Sequence, residues 1–308
     1  MTRDPLSPGR LAQLACLLEV TARKPGNVHR FRDFDDVSYF DFVLSASAIA
    51  DPLDRVRVLG VGEAVLRAVE ATRRLVASNT NLGMILLLAP LAGVAADEPL
   101  ATGVLPVLRE TTRDDARWVY RAIRLAMPGG LGVVEAEDVA GEPTVTLLES
   151  MRLAAGRDLV ARQYANGYLE VFRVALPALR SSLGEGRPLE TAIIASALAL
   201  LAGHPDTLIA RKRGAVEAHE ASRRAAEVLA LGWPDAPAGV SLLEDFDLWL
   251  RAEGHSRNPG ATADLVTAAL FAALRDGIIP LPMAAGPSGW SGGDAVGLRP
   301  AECPRLPP

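Results

Sequence analysis

Cysteine, aromatic residues and long apolar runs are scarce in this chain and a net positive charge is lacking, and these shortages remove whole classes of protein. Two cysteines occur in 308 residues, Cys16 in an apolar helical pattern and Cys303 in a proline-rich tail. Neither has a Cys or His nearby at metal-ligand spacing, which argues against a disulfide framework and against a zinc site. The net charge of −5 supplies no basic face for a phosphate backbone, so no nucleic-acid partner is expected. The longest apolar stretch, Met84 to Ala96, is too short to span a bilayer and contains Pro90. With no basic segment, apolar run and small-residue cleavage site at the start, the expected compartment is the cytoplasm, without a membrane partner. Walker and Rossmann glycine patterns are missing, and no serine occupies a nucleophile elbow.

What is present is aliphatic and helical. Hydrophobic residues make up 49% of the chain and aromatic ones only 5%, so the core is expected to be Ala and Leu on helices. Apolar residues recur at helical spacing almost throughout, from Leu11, Leu14, Ala15, Leu17 and Leu18 in a first helix that has Glu19 towards its end. Further helices are predicted over 39–50, 62–77, directly after the capping cluster Ser78 to Gly83, and over 100–109, 114–126, 147–155, 165–182, 189–201, 207–230, 241–252 and 262–275. Ser241 with Glu244 reads as a capping box. No alternating strand is convincing. The expectation is an all-α fold, one large multi-helix catalytic domain over 1–280 with no substantial sheet. A hinge or lid is expected near 129–143, where glycines cluster, and a loosely held Pro/Gly-rich tail over 281–308. Mean hydropathy of +0.19 points to a homodimer.

Four polar stretches exceed what a helical bundle requires. In the first, Lys24-Pro25-Gly26-Asn27, lysine offers a mobile positive charge for phosphate and glycine permits close backbone approach. Asp33, Asp35 and Asp36 follow as oxygen ligands for magnesium; the structural alternative is a turn and a solvated acidic loop. In the second, Asn79-Thr80-Asn81-Leu82-Gly83, a helix start with free amides suits a phosphate, although capping alone explains one asparagine. The third sets Asp206 before Arg211, Lys212 and Arg213, suiting a magnesium–polyphosphate ligand or a capped helix whose cations fan into solvent. The fourth, Asn258 to Asp264, opens the last helix with small residues and an acid, which also serves dipole compensation. His29, His219 and His255 stand alone on polar stretches and are read as surface histidines.

In order along the chain, these stretches resemble the triphosphoribosyl-dephospho-CoA synthase family from about Leu14 to Gly277. Lys24-Pro25-Gly26 is similar to its Lys-Pro-Gly loop, and Asp36 through Ser45 to its acidic loop and helix. Gly62, Glu63 and Asn79 to Gly83 resemble its central turn. Asp206, Thr207, Arg211 and Gly214 resemble its Asp-Arg element, and Pro259 to Asp264 its final Gly-rich start. Two features depart: Asn81 and Leu82 stand where the synthases carry a His-Lys pair, and Phe34 to Asp36 lacks the histidine of a Gly-Ala-His-x-Asp segment. The chain reads as a divergent branch.

The resemblance implies transfer of the triphosphoribosyl group of ATP to a ribose hydroxyl of dephospho-CoA with loss of adenine, which makes a prosthetic-group precursor. On that reading Asp36, Asp206 and Asp264 bind Mg2+ or act as base. Lys24, Gly26, Asn27, Asn79, Thr80, Asn81, Gly83, Arg211 and Asn258 hold phosphates or nucleotide. Two alternatives stay open: ribosyl or phosphoribosyl transfer from a related phosphoribosyl donor to another cofactor precursor, such as a pterin-type one-carbon carrier, and a noncatalytic nucleotide-binding helical regulator.

Overall fold

The helical periodicity is realised almost everywhere in the computed structural model, which describes residues 6–127 and 138–281. The first half contains α1 (Pro8–Thr21), α2 (Tyr39–Ala48), the short α3 (Ala50–Asp54) and α4 (Val56–Leu59), α5 (Val61–Arg73), α6 (Leu82–Gly93), α7 (Leu100–Arg109) and α8 (Arg113–Ala126). The second contains α9 (Leu147–Ala154), α10 (Leu159–Asn166), α11 (Leu176–Gly184), α12 (Leu189–Gly203), α13 (Thr207–Arg213), α14 (Ala215–Ala230), α15 (Pro237–Arg251) and α16 (Gly260–Arg275). Among the described residues β-structure amounts to two isolated bridges, His29 with Arg32 and Phe34 with Val37. The expected tail beyond Leu281 lies outside the described residues, as do residues 129–137 of the expected hinge or lid.

Three predicted helices have other boundaries. The predicted helix over 165–182 begins later: α10, which the periodicity did not announce, ends at Gly167 and Tyr168, both at positive φ, and a π-helical segment, Val171–Ala175, leads into α11. The predicted helix over 207–230 breaks at Gly214, whose φ of 92° no helix accommodates. α15 starts at Pro237, so Ser241 lies inside it and forms no cap. Capping boxes occur instead at Ser38 with Asp41, Thr112 with Asp115 and Thr146 with Glu149.

Two apolar clusters organise the helices. The larger gathers residues of α1, α5, α6, α8 and α16; α6 and α16 are apolar on nearly every side, as helices enclosed by others must be. The smaller joins α13, α14 and α15 around Trp233, Phe246 and Leu250. α12 belongs to both: Ile193, Ala197 and Leu200 enter the larger cluster, while Ile194, Leu198 and Leu201, one residue round the helix, enter the smaller.

Pro90 sits inside α6, where it cannot donate to the Leu86 carbonyl. The Tyr164 hydroxyl donates to that carbonyl at 2.6 Å, and the Tyr168 hydroxyl donates to Leu87 at 2.8 Å. Both tyrosines are buried. A break that would strand an acceptor in the core therefore becomes the bond that docks the α10 region onto α6.

The loop between α1 and α2 is held by ion pairs. Glu190 of α12, fully buried, accepts from Arg23 at 2.9 and 3.0 Å and from Arg30 at 2.8 and 3.2 Å. Burial pushes its carboxyl up, yet hydrogen bonds from the two arginines outweigh this and hold it below the ordinary range. Asp247 of α15 accepts from the Gly26 amide at 2.7 Å, from Arg32 at 3.1 Å and from Arg251 at 2.8 Å. The loop is thus clamped to α12 and α15, and its inner edge faces the cavity described next.

Candidate active site

A cavity of about 530 Å³ opens among the α1–α2 loop, the starts of α6, α10 and α16, and the end of α13. Its lining includes nine of the twelve residues singled out in the sequence: Asn27, Asp36, Asn79, Thr80, Asn81, Gly83, Arg211, Asn258 and Asp264. Helices bring these distant stretches together because α1, α6 and α16 share one core, which points the starts of α6 and α16 at the same space.

The asparagines and threonine form a connected polar wall. Thr80 Oγ1 lies 2.5 Å from the hydroxyl of Ser45, and Asn81 donates to Thr72 Oγ1 at 3.2 Å. Asn79 accepts from the Leu82 amide at 3.3 Å, and across the cavity Asn27 donates to Asn258 at 3.4 Å. One asparagine caps, then, and the other fixes the turn to α2 and α5.

Gly83 and Asp264 explain each other. A Cβ added at Gly83 would lie 1.9 Å from Asp264 Oδ2, so only glycine leaves room for the carboxylate at the start of α6. Among the described residues no donor is hydrogen-bonded to Asp264. Burial pushes its carboxyl well above the ordinary range, and the neighbouring charges of Glu19, Asp206 and Asp158 add to this, with Arg211 opposing.

Three of the twelve lie elsewhere, and each corrects the sequence reading. Lys24 is not a phosphate contact: it is fully buried, with its Nζ 2.8 Å from Glu19 Oε1 and donating to the Glu19 carbonyl at 2.5 Å. Gly26 is closed to a ligand, since a Cβ there would meet Leu250 at 2.7 Å and Pro259 at 3.0 Å. Asp206 neither lines the cavity nor has an oxygen to spare. It accepts from Leu208 and Ile209 amides at 2.8 and 3.1 Å and from the Thr262 amide and hydroxyl at 2.7 and 2.8 Å, tying α13 to α16. Asp36 is exposed at the mouth, 3.1 Å from His255 Nδ1. A magnesium centre built from Asp36, Asp206 and Asp264 therefore has no geometric basis, and among the described residues no group of three or more His, Cys, Asp or Glu is arranged to hold a metal ion.

Other residues take their places. Glu19, 2% exposed, faces the cavity from α1; burial raises its carboxyl and Lys24 opposes the shift. Asp158 caps α10 with one oxygen and holds Arg211 at 3.2 Å with the other. Arg211 Nε is buried without a protein partner. Arg157 and Lys212 also line the cavity, and burial lowers the Lys212 ammonium. Glu19 was hidden by its place in an apolar helix, and Asp158 because it caps α10, a helix the sequence periodicity did not announce. His29, read as a surface residue, is buried, and burial with four neighbouring cations depresses its pKa to about 2, so it stays neutral.

The sequence from residue 5 to residue 280 matches the family model described as ATP:dephospho-CoA triphosphoribosyl transferase. A segment of 107 residues is 35% identical to a probable 2-(5''-triphosphoribosyl)-3'-dephosphocoenzyme-A synthase of Citrobacter koseri; that match spans 35% of each chain, about a third of the relative's length. The fold is similar to the crystal structure of a proposed triphosphoribosyl-dephospho-CoA synthase from Archaeoglobus fulgidus. The TM-score is 0.58 at 26% identity, covering 76% of this chain and 98% of the other.

Proposed function

We propose a reaction for this site from one premise: the chain belongs to the ATP:dephospho-CoA triphosphoribosyl transferase family, whose model covers nearly all of its described length. The reaction is transfer of the triphosphoribosyl group of ATP to a ribose hydroxyl of dephospho-CoA. A C–O bond forms at the anomeric carbon, the C–N bond to adenine breaks, and adenine leaves with the proton that the hydroxyl gives up. The observation that carries this reading is the convergence of Asn27, Asn79 to Asn81, Arg211, Asn258 and Asp264 on one cavity.

The chemistry needs three things. Charge on the triphosphate must be balanced; Arg211, Lys212 and Arg157 supply positive groups, and the unpartnered Arg211 Nε is free to donate. An oxocarbenium-like centre must be stabilised, which a carboxylate can do, as in glycoside hydrolysis. A proton must move from the acceptor hydroxyl, a task for a carboxyl group at the reacting end. Asp264 and Glu19 line the cavity from two helices of the shared core, which supports these roles for them.

A divalent cation such as Mg2+ would enter with the nucleotide. The site fits it as a shared ligand set: Asp264 would offer hard oxygen donors that the protein's own hydrogen bonds do not satisfy, and phosphate oxygens would complete the shell. Its chemistry there is neutralisation of triphosphate charge.

Among the described residues no single helix is long and apolar enough to cross a membrane. Adenine release from ATP, measured with dephospho-CoA present and absent, tests the proposal. Acceptor-dependent release that Asp264→Asn lowers by about a hundredfold or more supports it; full activity in that variant removes Asp264 from the mechanism. Release only with a pterin-type acceptor transfers the site to the alternative substrate.

A further inference from the structure

The proposed reaction uses the polar side of the cavity and leaves its other side unexplained. Ile123 of α8 and Met127 just beyond its end, Met151 and Ala154 of α9, and Val160 of α10 line the same space and offer nothing to a triphosphate or a ribose. They are also poor partners for a purine, which stacks on flat rings; the aromatic residues of the lining, Phe34 and Phe42, are contributed by the α1–α2 loop and α2. Long, flexible side chains with polarizable thioethers instead suit an apolar ligand segment that is itself flexible.

Met127 adds a second, independent sign. It is 67% exposed and sits in the left-handed conformation at φ 47°, a position at a helix end that Gly or Asn ordinarily takes. A bulky apolar side chain that is held at a strained position and turned to solvent at a cavity's edge gains nothing for the fold. Such outliers point to function when the surroundings maintain them.

We infer that Ile123, Met127, Met151, Ala154 and Val160 form the subsite for the pantetheine arm of the acceptor, and so select dephospho-CoA over nucleotides that lack the arm. The inference rests on the proposed reaction for the identity of the acceptor. The arm is a chain of methylenes, a geminal dimethyl group and two amides ending in a thiol, and its alkyl parts bury against the wall. The acceptor's ribose then lies toward Asn258 and Asp264, where the hydroxyl must meet the donor.

Direct binding separates this inference from the reaction itself. Affinities of dephospho-CoA and of ADP, which lacks the arm, are measured by calorimetry for the wild type and for Met127→Gly. Glycine suits φ 47°, so the variant keeps the fold, and thermal melting verifies this. The wild type should bind dephospho-CoA at least tenfold more tightly than ADP, and Met127→Gly should remove most of that difference while ATP affinity stays within twofold. A second variant, Met151→Gln, keeps side-chain length and should act in the same direction. Equal affinities of the wild type for dephospho-CoA and ADP would overturn the inference, as would a loss in Met127→Gly that falls equally on ADP and ATP. Absence of adenine release would overturn the reaction while arm-dependent binding still upheld the subsite.

Discussion

Asp264→Asn should raise thermal stability at neutral pH while lowering adenine release, because the carboxylate is kept where charge is costly. Burial and three neighbouring carboxylates lift its folded pKa above its unfolded value. The folded protein then binds the more protons between the two values, and stability falls as pH rises through that window. Asparagine has no charge to remove. The stability gap between variant and wild type should therefore be wide at pH 8 and close as pH falls toward the ordinary aspartate range near about pH 4. Melting temperatures across that range check it, and a variant less stable than the wild type at pH 8 would refute it. The partner position behaves oppositely: Gly83→Ala should cost both stability and activity, since its methyl would occupy the space of Asp264 Oδ2. At this scale the sequence was legible where a residue type has few uses. Asn79, Asn81, Arg211 and Asp264 exceeded the needs of a bundle and do face the cavity. Lys24 and Asp206 misled because their partners, Glu19 and Thr262, neutralise or saturate them in three dimensions.

Elements that sequence periodicity describes well end where tertiary bonds decide. α7 is bounded as its apolar spacing predicts, Leu100 to Arg109. The region from 159 to 184 is not, because its turn at Gly167 and Tyr168, both at positive φ, serves the tyrosines that reach Leu86 and Leu87 beside Pro90. No local pattern announces that a proline in one helix is answered by a tyrosine 74 residues later. Tyr164→Phe keeps the ring and removes only the donor, leaving a buried carbonyl unpaired; it should cost about 1–3 kcal/mol in urea unfolding. A loss below about 0.3 kcal/mol would mean that the Leu86 carbonyl finds another donor. The α1–α2 loop tests the same logic with charge. Glu190→Gln removes the negative charge that two arginines share, one of them buried, and should cost about 3–5 kcal/mol. Because Asn27 and Asp36 ride on that loop, ligand affinity should fall with it.

Across the molecule, the two apolar clusters raise the question of whether the site stands between independent parts or within one cooperative unit. α12 answers it physically. Adjacent residues of that helix, Ile193 and Ile194, are both fully buried but enter different clusters, so neither cluster can come apart without stripping a face of α12. Asp206 adds a second tie by holding the start of α13, packed on the smaller cluster, to Thr262 at the start of α16 in the larger. The cavity uses residues from both sides of this junction: Arg211 and His255 from the side of the smaller cluster, Glu19 and Asp264 from the larger. Unfolding in denaturant should consequently show one transition. Ile194→Ala, which removes packing only from the smaller cluster, should lower that single midpoint by the equivalent of about 2–5 kcal/mol without splitting it. Trp233 and Trp249 fluorescence reports the smaller cluster and Trp118 the larger, and coincident curves from single-tryptophan variants are the expected result. If the Trp233 signal is lost before the Trp118 signal in Ile194→Ala, the clusters are separable, and the site is assembled by docking two folded parts rather than by one core.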